Sequence, residues 1–167
     1  FNEYFAQMYG DDINPVLLYA ALWYDIGENT NEARDMLQSV RTEMFAKNYL
    51  GQITDWCEDH GIQLMGHMLM EDVENPVAIS GDLMYCFKYQ SIPAVDVIDR
   101  FGMTELYYKV ISSSAYNWDK ELVASETYGA MGANLPVSHL YKTAMDLYAK
   151  GINLIVPHAV WYDNVNN

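Results

Sequence analysis

Two glutamates, Glu71 and Glu126, and two histidines, His67 and His158, stand within or just beyond short apolar runs. A carboxylate placed at the end of an apolar strand is costly to desolvate unless it is paired, hydrogen-bonded or open to a cleft, so a pure packing role is disfavoured. Two glutamates on one rim suggest an acid and a base. Glycoside hydrolysis needs that pair: one carboxylic acid protonates the leaving oxygen, and one carboxylate attacks the anomeric carbon or activates water. Glu126 is the stronger of the two, because it follows Leu122-Val123-Ala124-Ser125 directly and precedes Thr127-Tyr128-Gly129-Ala130, where small residues leave room for a ligand. Glu71 lies in the acidic loop Glu71-Asp72-Val73-Glu74, where simple solvation is the competing reading.

Around these carboxylates, His67, His158 and Asp72 are candidates for sugar contact, although a histidine hydrogen-bonded to backbone in the core is the ordinary alternative. Tyr128 and Trp161, with Trp23 and Tyr162, could offer aromatic faces to the apolar side of a pyranose. In a chain this rich in aromatics most rings pack the core, and Trp56 is expected there. Asp72, Glu74, Asp82, Asp96 and Asp163 could supply oxygen ligands to calcium, yet no EF-hand spacing is present and solvation is expected for most of them. No CxxC or Cys/His cluster points to zinc, so no metal is assigned and calcium alone is left open. Cys57 and Cys86 are expected to be free and buried.

These residues need elements to hold them. From Glu32 to His60 the apolar residues recur at three- and four-residue steps, the mark of an amphipathic helix, with Thr30 or Asn31 as its cap and Gly61 as its left-handed C-terminal glycine. The run Ile62 to Met70 then has the composition of a buried parallel strand. The alternation continues with a helix over Gly81 to Gln90, a strand over Ala94 to Ile98, a helix from about Thr104 to Trp118, and a strand over Glu121 to Ser125. A helix from Val137 to Lys150 and a strand over Ile152 to Pro157 complete it. Phe1 to Tyr9 reads as helical, and Val16 to Trp23 is assigned to helix over strand. Alternating helices and strands imply parallel pairing, in a barrel or an open doubly wound sheet, and no GxGxxG or Walker sequence favours the nucleotide-binding form of the latter.

The chain has 167 residues, fewer than the roughly 250 of a complete eight-fold barrel, so residues 1–167 are read as a partial catalytic barrel domain of a larger protein. The missing barrel half and accessory domains are then its partners. An apolar fraction of 51% and an aromatic fraction of 14% exclude intrinsic disorder. A formal net charge of -14 argues against nucleic acid, whose binding draws on Lys and Arg clusters. No apolar run approaches the roughly 20 residues of a membrane span. The compartment stays open.

The segment Trp56-Cys57-Glu58-Asp59-His60-Gly61-Ile62, followed by Gly66-His67-Met68-Leu69-Met70-Glu71, resembles large barrel glycoside hydrolases of the α-L-rhamnosidase-type and β-galactosidase-like families. Further similarities follow in order at Gly81-Asp82-Leu83-Met84, Ile92-Pro93-Ala94-Val95-Asp96, Ser113-Ser114-Ala115, Ser125-Glu126-Thr127-Tyr128-Gly129 and Gly151-Ile152-Asn153 leading to His158. The resemblance covers about residues 45–160. It implies part of a (β/α)8 barrel, with roughly four parallel strands alternating with helices, from a bacterial enzyme of polysaccharide degradation. It further implies that Glu126 is the strand-end nucleophile or base and Glu71 the acid, unless an upstream strand supplies the acid. These glutamates lie two strands apart, on the order of 10 Å between backbones, which slightly favours inversion over retention. The alternatives are a non-catalytic carbohydrate-binding barrel and a metal-dependent barrel isomerase or aldolase using the same His and Glu residues. The aldolase is weakened because no lysine sits at an expected strand end.

Overall fold

Helices and strands alternate along the chain, and four parallel strands pair in the order β1-β2-β3-β4. The computed structural model describes residues 1–69, 76–98, 108–129 and 135–158. The strands are β1 (Met65–Gly66), β2 (Ile92–Val97), β3 (Ala124–Thr127) and β4 (Leu154–Pro157). Between β1 and β2 lie α4 (Pro76–Ser80) and α5 (Leu83–Phe87). Helix α6 (Lys109–Asn117) leads to β3, and α7 (Val137–Ala149) leads to β4. The mixed α/β class and the parallel pairing are as the sequence implies.

Side chains alternate faces along a strand, and the two faces of this sheet differ. Val95, Val97 and Val123 join Phe87, Ile111, Ala115 and Leu147 from the helices in the main core. On the other face Ile92, Ala94, Ala124 and Leu154 form a small cluster made of strand residues alone. The described helices that reach the sheet's core therefore cover one face, and the second face carries small residues beneath the site.

The first strand is entered through a long helical run. Helix α2 (Thr30–Phe45) passes without a break into a π-helical segment (Ala46–Gly51) and then α3 (Gln52–Asp59), and Gly61 ends the run at φ 72°. The π segment changes which side chains face inward. Thr54 and Cys57 are buried, whereas Trp56, expected in the core, is 57% exposed and stacks on His60 with ring centroids 4.1 Å apart. A wider π turn advances the helix face by about one residue, so an apolar pattern read at 3.6 residues per turn mispositions everything after it. The cap also differs: Thr30 Oγ1 accepts from Ile26 N at 2.9 Å, and the cap position, Asn29, makes no side-chain bond.

Ahead of this run, α1 (Asn2–Tyr9) buries Phe5 against Leu37 and Val40 of α2. Val16 to Trp23, assigned to helix, forms two 3-10 turns, Pro15–Leu17 and Tyr19–Leu22. Only Ala21 of that run is buried, so no apolar face stabilises a longer helix. Both cysteines are free and buried, and burial pushes the Cys86 thiol up to about 12. No helix among the described residues is long and apolar enough to cross a membrane.

Candidate functional site

Glu126 is the third residue of β3 rather than the residue that follows it. The strand expected over Glu121 to Ser125 starts late because Asn153 occupies its approach: Asn153 Nδ2 donates to Glu121 O, and Val123 N donates to Asn153 Oδ1, each at 2.8 Å. Pairing then brings Glu126 level with Asp96 on β2 and Val156 on β4. By strand alternation Asp96 and Glu126 project from the face of Ala94 and Ala124.

Two histidines converge on this pair from the strand ends. His67 follows β1, with Nε2 3.9 Å from Glu126 Oε2 and 4.0 Å from Asp96 Oδ2. His158 follows β4, with Nε2 3.7 Å from the other oxygen of Glu126. The four side chains are between 30% and 38% exposed, partly withdrawn from water yet open to a ligand.

Backbone contacts hold each group. His158 N donates to Thr127 O at 2.6 Å, tying the end of β4 to that of β3. Ile98 N donates to Asp96 Oδ1 at 2.9 Å. His67 Nδ1 lies 3.1 Å from Met68 O, and since a carbonyl only accepts, Nδ1 is the donor there and Nε2 is the nitrogen turned toward the carboxylates. Gly129 is packed rather than spacious: a Cβ there would stand 2.6 Å from His158 Cγ and 2.8 Å from Ile98 Cβ. Its small size makes room for His158, not for a ligand.

Of the residues singled out by sequence, Glu126, His67 and His158 come together. Tyr128 sits at φ 72°, a conformation L side chains seldom adopt, and its hydroxyl donates to Leu140 O of α7 at 3.1 Å. Its polar end is engaged on the helix layer, and burial pushes that hydroxyl's pKa up. Glu71, Asp72 and Trp161 lie outside the described residues, as do Glu74, Tyr162 and Asp163. Trp23 is 73% exposed in the N-terminal segment. Asp82, a calcium candidate, caps α5 by accepting from Tyr85 N at 3.2 Å.

Sequence reasoning named Asp96 only among the calcium candidates, with solvation expected for most of them, and did not place it beside Glu126. Its signal was present, since it is the single charged residue in Ala94-Val95-Asp96-Val97-Ile98 and shares the parity of Ala94. Solvation, expected for most of the acidic candidates, does not describe a side chain set in the strand register of Glu126. A scan against protein-family models, a search of curated proteins and a search of solved structures find no match to this chain.

Proposed function

We propose that the chain is part of the catalytic (β/α)8 barrel of a glycoside hydrolase, with Glu126 as the carboxylate that activates water or attacks the anomeric carbon. The observation that carries this reading is the position of Glu126: near the carboxyl end of an inner parallel strand, part-exposed, with a second carboxylate, Asp96, level with it on the next strand. Active sites of parallel β/α folds gather at that end of the sheet. The barrel reading draws support from the sequential strand order and from helices packing on one face, since a doubly wound sheet reverses its order and covers both. His67 and His158 are placed to contact sugar hydroxyls beside Glu126.

The proton donor to the leaving oxygen is Glu71 in this reading. Asp96 is the competing choice, with a carboxylate oxygen within 4.8 Å of one on Glu126, close to the roughly 5 Å separation of a retaining pair. Hydrolysis of aryl glycosides by the natural polypeptide tests both assignments. E126Q should lower kcat/KM by at least about a hundredfold, the scale of general acid–base catalysis. E71Q and D96N then separate the two acids, because loss of the true acid spares aryl substrates with good leaving groups more than poor ones. Unchanged hydrolysis in E126Q overturns the reading, and saturable oligosaccharide binding without product release replaces it with a binding barrel.

A further inference from the structure

We propose that His67 Nε2, Asp96 Oδ2 and Glu126 Oε2 form a binding site for a first-row transition dication of the zinc or manganese class. The inference concerns the site described above but does not depend on glycosidase chemistry. Among the described residues these three side chains offer ligand atoms that lie within 4.8 Å of one another. At metal–ligand bonds of about 2.0–2.2 Å, two donors at a tetrahedral angle stand about 3.3–3.6 Å apart. The separations from His67 Nε2, 3.9 Å and 4.0 Å, exceed that spacing by a few tenths of an ångström, which small rotations of the three side chains close.

The atoms that would not bind the ion carry the argument further. His67 directs Nδ1 at Met68 O, which leaves Nε2, the nitrogen facing the two carboxylates, as the atom that would ligate an ion. Asp96 Oδ1 is held by Ile98 N, and Glu126 Oε1 faces His158 Nε2 at 3.7 Å. Each candidate ligand thus has its other polar atom anchored or faced by a partner, the arrangement that orients metal ligands and fixes the tautomer of a ligating histidine. Two carboxylate oxygens converging on one point also create a concentration of negative potential that a dication relieves. The mixture of imidazole and carboxylate suits zinc, manganese or iron, whereas calcium takes six to eight oxygens. Three protein ligands leave coordination positions open to water or substrate, as in catalytic sites.

Titration calorimetry on the natural polypeptide, freed of metal with chelator and dialysed, tests the site without any sugar present. ZnCl2 or MnCl2 should bind with one equivalent assigned to this site and more tightly than CaCl2. That equivalent should weaken by at least about tenfold in H67Q and in D96N, and by a smaller factor in H158A, which removes only the group facing Glu126. His67 is exposed and lies outside the strand, so H67Q keeps the test decisive if D96N fails to fold by circular dichroism. Absence of saturable Zn2+ and Mn2+ binding, binding unchanged in both variants, or preference for Ca2+ each overturns the proposal. Failure of the glycosidase reading shows separately, as hydrolysis that survives E126Q.

Discussion

Gly129 determines where His158 stands. An alanine there would bring its Cβ within 2.6 Å of the imidazole and 2.8 Å of Ile98 Cβ, below any real contact, so one of the two must move. The His158 ring is the easier to displace, because it turns about its own side-chain bonds whereas the Ile98 Cβ moves only with the main chain. Gly129→Ala should therefore shift the His158 imidazole away from Glu126 and cost about 1–3 kcal/mol, the usual scale of overpacking. Thermal unfolding measures the cost and the His158 ring resonances in NMR report the shift; an unshifted ring at unchanged stability contradicts it. The same comparison shows why the site was only partly legible. Glu126, His67 and His158 could be read because a polar group at the end of an apolar run is conspicuous. Asp96 is one of 23 acidic residues, and although its apolar run marks it, its place beside Glu126 depends on cross-strand register, a long-range property that the run does not encode.

At the scale of elements, local signals located most helices and strands better than they set their limits, although none marked α4 (Pro76–Ser80). Gly61 and Gly151 both take positive φ at helix ends and hand the chain to the following strand, so those two junctions were readable from the glycines alone. Strand starts were not, because side chains and a proline set them. Asn153 delays β3, and Pro93, with no N–H to give, leaves the β2–β3 pairing to begin at Ala94↔Ala124. The π segment that exposes Trp56 likewise has no periodic signature. Asp82 shows the local kind of signal: it caps α5, a helix of five residues with little hydrogen bonding of its own, directly after Gly81 at φ 78°. Losing that cap leaves the Tyr85 amide without its side-chain acceptor. Asp82→Ala should cost about 1 kcal/mol in chemical denaturation, and Asp82→Asn, which keeps the acceptor, should cost less. Equal losses in the two variants would assign the effect to charge rather than to capping.

For the molecule as a whole, the decisive feature is the outer side of β1. Ile92 N donates to Leu64 O at 3.0 Å, so ladder alternation turns the main-chain groups of Met65 to the opposite side, where no described strand pairs with them. Beside that edge runs a cavity of about 570 Å³ between β1 and the long helical run, lined by Phe45, Tyr49, Met65 and Leu69 among others. Gln90 also lines it, and its Oε1 is buried with no hydrogen-bond partner among the described residues. An open strand edge, apolar flanks and an unsatisfied acceptor favour the docking of further extended chain. The net charge of -14 opposes association of one copy with another by like-charge repulsion, which salt screens. The purified 167-residue chain should therefore self-associate in a concentration-dependent way, and more strongly as ionic strength rises. Met65→Lys places a charge on the edge and should shift the population toward monomer at every salt concentration, as charged edge residues do in natural sheets. Light scattering coupled to gel filtration measures both effects. A monomer at all concentrations and salts would mean that the β1 edge is already covered within one chain.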